Sequence, residues 1–89
     1  MTILEFVDDF TNKKIYLNRN FIRITFYEFR LKFGLTKDEA NKCIELSKIR
    51  FINLGYRVYL TGEEYFYKGE QKKVETNELL IAIKERDVK

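Results

Sequence analysis

The residue types that usually perform chemistry in small proteins are scarce in this chain of 89 residues. It contains no histidine and one cysteine, Cys43, so the commonest general base and the usual zinc ligand sets are both missing. No two glycines are close enough to build a phosphate-binding loop. The glycines are Gly34, Gly55, Gly62 and Gly69. The adjacent carboxylates Glu63 and Glu64 would point to opposite faces of an extended strand. The composition therefore predicts a protein that is not an enzyme and that uses no metal and no cofactor, with a hydrolase that uses only carboxylates as the alternative.

The lone cysteine and the short apolar runs also bear on localisation. A secreted domain of this size usually carries several cysteines. The longest apolar run, Leu79 to Ile83, is far shorter than the roughly 20 residues that span a bilayer. The N-terminal segment holds Glu5, Asp8 and Asp9 where a signal peptide would be positively charged. We therefore expect one domain over residues 1–89, in the cytoplasm and without membrane association.

The basic residues of the chain concentrate in one segment. The formal net charge is +3, but residues 11–37 hold seven Lys and Arg residues against Glu28 alone, which gives this segment +6. Aromatic side chains such as Tyr16, Phe21 and Phe26 are interleaved with these cations. Such a segment is typical of a surface that binds nucleic acid. The alternative is a solvated face of a mildly basic protein.

Helix starts are predicted by three pairs in which Thr is followed by Glu three residues later. In such a capping box the Thr hydroxyl and the Glu carboxylate each accept a hydrogen bond from the other residue's backbone N–H. The predicted helices run from Thr2 to Phe10, from Thr25 to Phe33 and from Thr36 to Leu54. Gly34 and Gly55 follow the second and third helices, in the position of a C-terminal cap. A fourth pair, at residues 61 and 64, contains Gly62 and predicts a turn.

The remaining segments have strand-like patterns. Strands are predicted within Lys14–Ile24, over Tyr56–Leu60 and over Tyr65–Tyr67, the last two joined as a hairpin by a turn at Gly62 and Glu63. Residues 69–73 are predicted to be a polar tip or a second turn. Asn77 to Arg86 is predicted to be a helix capped by Asn77, with a strand that places Leu79, Ile81 and Ile83 on one side as the alternative. The predicted fold class is α+β.

The third predicted helix carries two sets of apolar residues. Its core stripe is Ala40, Cys43, Ile44, Ser47, Phe51 and Leu54. Leu46, Ile49 and Ile52 lie off this stripe, so either the core wraps more than half of the helix or these three residues contact a partner, which is the interpretation we favour. Together with apolar residues of the last segment they form the predicted dimer or partner interface: Leu46, Ile49, Ile52, Leu79, Leu80 and Ile83.

The order of the predicted elements resembles the winged helix-turn-helix family over roughly residues 15–75. The resemblance rests on a short helix, the turn Gly34-Leu35-Thr36, a long helix that ends in Leu54-Gly55, and a following β-hairpin. It implies three helices, a hairpin wing, and a C-terminal helix or strand. It also implies a homodimer that binds double-stranded DNA sequence-specifically, as a transcriptional regulator or a plasmid or phage partition adaptor. Helix 36–54 would enter the major groove and wing 56–73 would contact adjacent DNA.

The resemblance implies DNA contacts from eleven residues. They are Arg30, Lys32, Thr36, Lys37, Asn41, Lys42, Lys48, Arg57, Lys68, Lys72 and Lys73. Asn41 suits adenine, and the lysines suit phosphate or guanine. Asp38 departs from the pattern, because DNA phosphates would repel it. One alternative is therefore a small phage-type inhibitor that binds a host protein through its apolar patch. A single-stranded nucleic-acid binder is a third hypothesis, disfavoured by the helix content.

Overall fold

The structure, a computed structural model, describes residues 2–84. The elements of this range are α1 (Ile3–Leu17), β1 (Phe21–Thr25), a π-helix (Glu28–Lys32), α2 (Lys37–Asn53), β2 (Arg57–Leu60), β3 (Glu64–Tyr67), β4 (Glu70–Lys73) and β5 (Glu78–Ile83). The fold is α+β, as the sequence predicts. Its three helices are compatible with a winged helix.

The strands form two separate antiparallel sheets. In the first sheet β5 lies between β1 and β2, and Ile83 of β5 is opposite both Phe21 and Arg57. The second sheet is the hairpin of β3 and β4. Side chains alternate along β5: Leu80 and Ala82 pack with the helices, whereas Ile81 and Ile83 pack with the hairpin. The three-stranded sheet is therefore covered by helices on one face and by the hairpin on the other.

The C-terminal segment is a strand, so the predicted helix from Asn77 to Arg86 is wrong. Its strand alternative is correct over Glu78–Ile83, and Arg86 lies outside the described residues. Because β5 is the central strand and is covered on both faces, nearly all of its side chains are buried. A continuous apolar run is what a strand covered on both faces requires. Periodicity alone does not distinguish such a run from a buried helix.

The hairpin pairing predicted between residues 56–60 and 65–67 is also wrong. β2 pairs with β5, and β3 pairs with β4, so residues 70–73 are a strand rather than a polar tip. The hairpin folds back over the sheet, where the Tyr65 ring lies 5.6 Å from the Tyr59 ring and the Tyr67 ring lies 4.7 Å from the Phe21 ring. Burial of these aromatic faces against the sheet favours this arrangement over an extended wing.

α1 is longer than predicted. Its buried side continues beyond Phe10 with polar side chains that make hydrogen bonds or ion pairs, and the prediction counts apolar residues only. The predicted helix ends at Phe10 and the following segment is predicted as a strand, but α1 continues to Leu17. Thr11 is fully buried, and its hydroxyl donates to the Val7 carbonyl at 2.7 Å. Lys14, one turn later, pairs with Glu28. A pattern of apolar residues alone does not detect a stripe that is completed by hydrogen-bonded polar side chains.

The helix starts agree with the capping boxes. Complete boxes begin α1 at Thr2 and α2 at Thr36. The Thr25 backbone N–H donates to the Glu28 carboxylate at 3.0 Å, and the backbone then turns through two α-helical residues into the π-helix. The predicted helix 25–33 is therefore confirmed as helical, with π winding over most of its length. The predicted turn at Gly62 is confirmed as well.

Four phenylalanines hold α1 against the π-helix. The Phe10 ring lies 5.2 Å from the Phe29 ring and 5.6 Å from the Phe33 ring, and the Phe6 ring lies 5.2 Å from the Phe33 ring. Phe29 is fully buried. Because Phe33 directly precedes Gly34, this cluster fixes where the chain turns into α2.

The pair of Lys14 and Glu28 links α1 to the π-helix and makes stability depend on pH. Partial burial raises the pKa of Glu28, but hydrogen bonds from Lys14 and Thr25 and the charge of Lys14 lower the pKa by more. The net effect is a pKa below its ordinary value of 4.5. The stabilisation by Glu28 is thus complete above pH 4.5 and is lost as the pH falls through the lower folded-state pKa.

We expect Glu28→Gln to lower the free energy of unfolding by about 1–3 kcal/mol at pH 7, because it leaves the largely buried Lys14 ammonium without its counter-charge. Urea unfolding at pH 7 and at pH 3 measures this. The difference between variant and wild type should shrink at pH 3, because part of the stabilisation by Glu28 is lost below the ordinary carboxyl pKa of 4.5. Glu64→Gln at an exposed strand position is the matched control. An equal loss in both variants, or a difference that does not change with pH, would contradict the assignment.

Candidate nucleic-acid interface

All eleven residues predicted to contact DNA are exposed, but they lie on two separate surfaces. The helical surface carries Arg30, Lys32, Thr36, Lys37, Asn41, Lys42 and Lys48, and the hairpin surface carries Arg57, Lys68, Lys72 and Lys73. α2 packs on one face of the three-stranded sheet and the hairpin on the other. The structure therefore places the residues predicted for helix 36–54 and those predicted for wing 56–73 on opposite sides of the sheet.

α2 buries one stripe and exposes the rest of its circumference. Its buried residues are Ala40, Cys43, Ser47 and Phe51, which confirms most of the predicted core stripe. Ile44 is only half-buried, and Leu54 is 41% exposed. With about 100° between successive residues of an α-helix, Lys37, Asn41 and Lys48 lie within about 40° of one another on one exposed side. We call this the basic side of α2.

Of the two acidic residues at the start of α2, Glu39 points away from the basic side, whereas Asp38 lies beside it. Asp38 lies about 80° around the helix from the centre of that side, and Glu39 lies about 180° from it. The backbone N–H and the hydroxyl of Thr36 lower the pKa of Glu39 through their hydrogen bonds, so this carboxylate is held in the cap as an anion. Because neither carboxylate lies on the basic side, the repulsion expected from Asp38 is weaker than the sequence suggests.

The turn before α2 positions the cations of the π-helix next to it. Gly34 has a φ of +63°, and the Leu35 N–H donates to the Phe29 carbonyl at 3.1 Å, which ends the π-helix. Thr36 then caps α2. Arg30 lies with its guanidinium 6.0 Å from the Phe26 ring centroid. Arg30 and Lys32 thus stand exposed one short turn before Lys37.

Ion pairs within the chain neutralise part of the basic segment at residues 11–37. Lys13 pairs with Asp9, Lys14 with Glu28, and Arg23 with Glu78. The other cations of this segment have no ion pair among residues 2–84: Arg19, Arg30, Lys32 and Lys37. Three of these four belong to the π-helix and the first turn of α2, so the remaining positive charge is concentrated at the helix–turn–helix.

The predicted partner interface is divided between surface and core. Leu80 and Ile83 are buried in β5, so their assignment to an interface is wrong. Leu79 and Leu46 are half-buried against the core. Ile49 and Ile52 are 56% and 50% exposed. Leu80 and Ile83 are buried because the segment predicted to be a surface helix is the central strand of the sheet.

A groove between α1 and α2 is lined by apolar residues that the sequence did not predict to lie together. It has a volume of about 220 Å³, and its apolar lining includes Leu4, Leu46, Ile49 and Leu54. We call it the α1–α2 groove. Leu4 is exposed although it belongs to a helix that packs on α2. That Leu4 and Ile49 line one groove depends on the angle between the two helices, for which the sequence carries no signal.

Arg50 joins the two helices at this groove and was not singled out by the sequence. Its guanidinium donates to the Asn12 side chain at 2.6 Å and lies 3.4 Å from the Asp8 carboxylate. The interaction spans 38 positions in the chain, so no local pattern could have indicated it. The charges that line the groove are therefore paired within the chain.

A scan against models of known protein families finds no match, and searches of curated proteins and of solved structures find none either. Within residues 2–84, no helix has the length and apolar character needed to cross a membrane. The same range contains no group of three or more His, Cys, Asp or Glu side chains that could hold a metal ion.

Proposed function

We propose that this chain is a winged-helix protein that binds double-stranded DNA with the basic side of α2, as a cytoplasmic transcriptional regulator or partition adaptor and not as an enzyme. The observation that carries the proposal is the exposed set Lys37, Asn41 and Lys48 on one side of a helix that follows the turn Gly34–Thr36. A major groove about 12 Å wide accepts one α-helix, whose polar side chains then contact base edges. Asn41 is suited to adenine, and the two lysines to guanine or phosphate.

The arrangement of elements supports the winged-helix part of the proposal. In chain order, a helix and a strand precede two helices joined by a tight turn, and β5 then lies between the first strand and β2. Arg30 and Lys32 stand where the helix before a recognition helix contacts the DNA backbone. The hairpin folds over the back of the sheet, so in this proposal it stabilises the sheet and does not contact the DNA bound by α2.

Salt dependence of binding to duplex DNA tests the proposal. Four cations, Arg30, Lys32, Lys37 and Lys48, would each neutralise about one phosphate, so log K should fall with log salt with a slope of about −3.6. Fluorescence anisotropy with random-sequence and genomic duplexes at several salt concentrations measures this slope, and competition between duplexes measures the preference for a site. Absence of binding to any duplex at about 50 mM salt would sink the proposal.

Binding of another protein is the second candidate function, and the α1–α2 groove favours it. Exposed apolar side chains that are grouped together mark interaction sites on soluble proteins. A chain that binds no duplex and stays monomeric would agree with this candidate. In this alternative the chain would be a small inhibitor that binds a host protein.

A further inference from the structure

Four residues of α2 follow the spacing of a coiled-coil seam along the α1–α2 groove. Lys42, Leu46, Ile49 and Asn53 are separated by four, three and four positions, which is the alternation that keeps one edge of a helix against a partner helix. Leu46, Ile49 and Asn53 line the groove directly. Ile49 is 56% exposed, and Lys42 and Asn53 are exposed as well. We call these four residues the α2 seam.

We propose that a second copy of this chain docks on the α2 seam, with its own α2 antiparallel across a two-fold axis. An antiparallel pair centred between residues 47 and 48 places Leu46 of one copy opposite Ile49 of the other. The same symmetry places Lys42 opposite Asn53, because each lies about 5.5 residues from the centre. The apolar pairs would thus be flanked at both ends by polar pairs.

The polar ends of the seam are complementary in this antiparallel register and not in a parallel pair. The Lys42 ammonium is a donor, and the Asn53 side-chain carbonyl is an acceptor. A parallel pair would instead place Lys42 opposite Lys42 and bring two like charges together. Polar residues at seam positions set the register and orientation of helix pairs in this manner.

The rest of the groove favours a second copy over a strongly charged partner. Asp8 and Arg50 at its wall already pair with each other at 3.4 Å, so the groove has little net charge to attract a nucleic acid or an acidic peptide. A two-fold interface uses the same patch twice and requires a self-complementary surface. The seam meets this requirement, because every residue in it has a suitable counterpart within it.

The dimer would also set the distance between two DNA contacts, a consequence that rests on the proposed function. Lys37 lies 10.5 residues from the centre of the seam, which is about 16 Å at a rise of 1.5 Å per residue. The two Lys37 residues would therefore be about 32 Å apart along the helix axes, with the two Lys48 residues close to the two-fold axis between them. The basic side of α2 lies about 130° around the helix from the seam, so dimerisation leaves it uncovered.

Sedimentation velocity of the full chain, from low to high micromolar concentration, tests the dimer. We expect a reversible dimer for the wild type, and a dissociation constant at least about tenfold weaker for Ile49→Gln. Ile52→Gln is the matched control, because Ile52 has nearly the same exposure on the same helix but lies about 90° from the seam. A monomeric wild type, or equal effects of the two substitutions, would overturn the proposal.

A charge exchange tests the register with residues that are exposed and do not affect the core. Asn53→Lys should weaken the dimer, because it places an ammonium opposite Lys42 of the other copy. Adding Lys42→Glu to that variant should restore the dimer, because opposite charges then face each other. A lack of rescue would overturn the antiparallel register, and this result does not depend on the stability of the Ile49 variant.

The dimer and DNA binding can fail separately. A wild-type dimer that Ile49→Gln disrupts, without affinity for any duplex, would support this interface and refute the proposed function. A monomer that binds duplex DNA with the expected salt slope would do the reverse. With both intact, the wild-type dimer should bind duplex DNA more tightly than the Ile49→Gln monomer, because it presents twice as many cations to the phosphates.

Discussion

Replacing Lys37 and Lys48 by Gln and Asn41 by Ala in one variant is expected to weaken duplex binding by about 100-fold. The three side chains lie on the basic side of α2, and a contact to a base or phosphate contributes on the order of 1 kcal/mol or more. Three such contacts therefore amount to about 3 kcal/mol, and about 1.4 kcal/mol corresponds to a factor of ten in affinity. Because two phosphate-binding cations are lost, the salt slope should also become shallower by about 1.8.

Substitutions in the hairpin serve as a control, because they remove more positive charge than the α2 variant does but from the opposite side of the sheet. Lys68, Lys72 and Lys73 are exposed and lie across the three-stranded sheet from α2. Changing all three to Gln removes three positive charges, one more than the helix variant. If α2 is the contact surface, this hairpin variant should bind within a few-fold of the wild type and keep its salt slope. Anisotropy titrations of both variants, with far-ultraviolet circular dichroism to verify folding, measure the difference.

The ranking of the two variants decides between binding modes. A larger loss in the hairpin variant would mean that the hairpin is the contact surface and would contradict the role given to α2. Equal losses would indicate attraction by overall charge without a defined surface. Only a selective loss in the helix variant agrees with insertion of α2 in a groove.

Phe29→Ala is expected to lower the free energy of unfolding by about 3–5 kcal/mol. The Phe29 side chain is fully buried, and its ring contacts Phe10 of α1 at 5.2 Å and Phe33 at 6.4 Å. Removing the ring leaves a cavity between α1 and the π-helix, which two flanking helices that are fixed by other contacts cannot close. For a chain of this size the midpoint of thermal unfolding should fall by about 12 °C or more.

Phe66→Ala is the matched control for this substitution. Phe66 is 64% exposed on β3, so its truncation should change the free energy of unfolding by no more than about 0.5 kcal/mol. Thermal melts followed by circular dichroism compare the two variants at the same pH. A small effect of Phe29→Ala would mean that the four-phenylalanine cluster does not hold α1 against the π-helix.

The local features of the helices could be predicted from the sequence, because the interactions that form them span only a few residues. The capping boxes at Thr2 and Thr36 begin α1 and α2 as predicted. Gly34 and Gly55 follow the helices with positive φ, where glycine is favoured. The stripe at Ala40, Cys43, Ser47 and Phe51 follows from 3.6 residues per turn. Those same rules identified the exposed positions Lys37, Asn41 and Lys48.

The strand pairings could not be predicted, because they join residues far apart in the chain. β1 pairs with β5 across more than fifty positions, and β2 pairs with β5 rather than with the neighbouring β3. Local turn signals at Gly62 favour a hairpin between adjacent strands, whereas burial of apolar surface on both faces of β5 favours the observed order. The burial of β5 depends on which surfaces meet in the folded chain, and no local sequence pattern specifies those surfaces.

The sequence by itself therefore determined where α1 and α2 begin, where α2 ends, which side of α2 is buried, and which residues are candidates for binding DNA. Only the tertiary structure decided which of those residues share a surface. It separated the hairpin lysines from α2, paired Lys14 and Arg23 with Glu28 and Glu78, and placed Leu4 and Ile49 in the same groove. The physical reason is range: hydrogen bonds and helical periodicity act over about four residues, whereas ion pairs and hydrophobic contacts depend on the relative placement of whole elements.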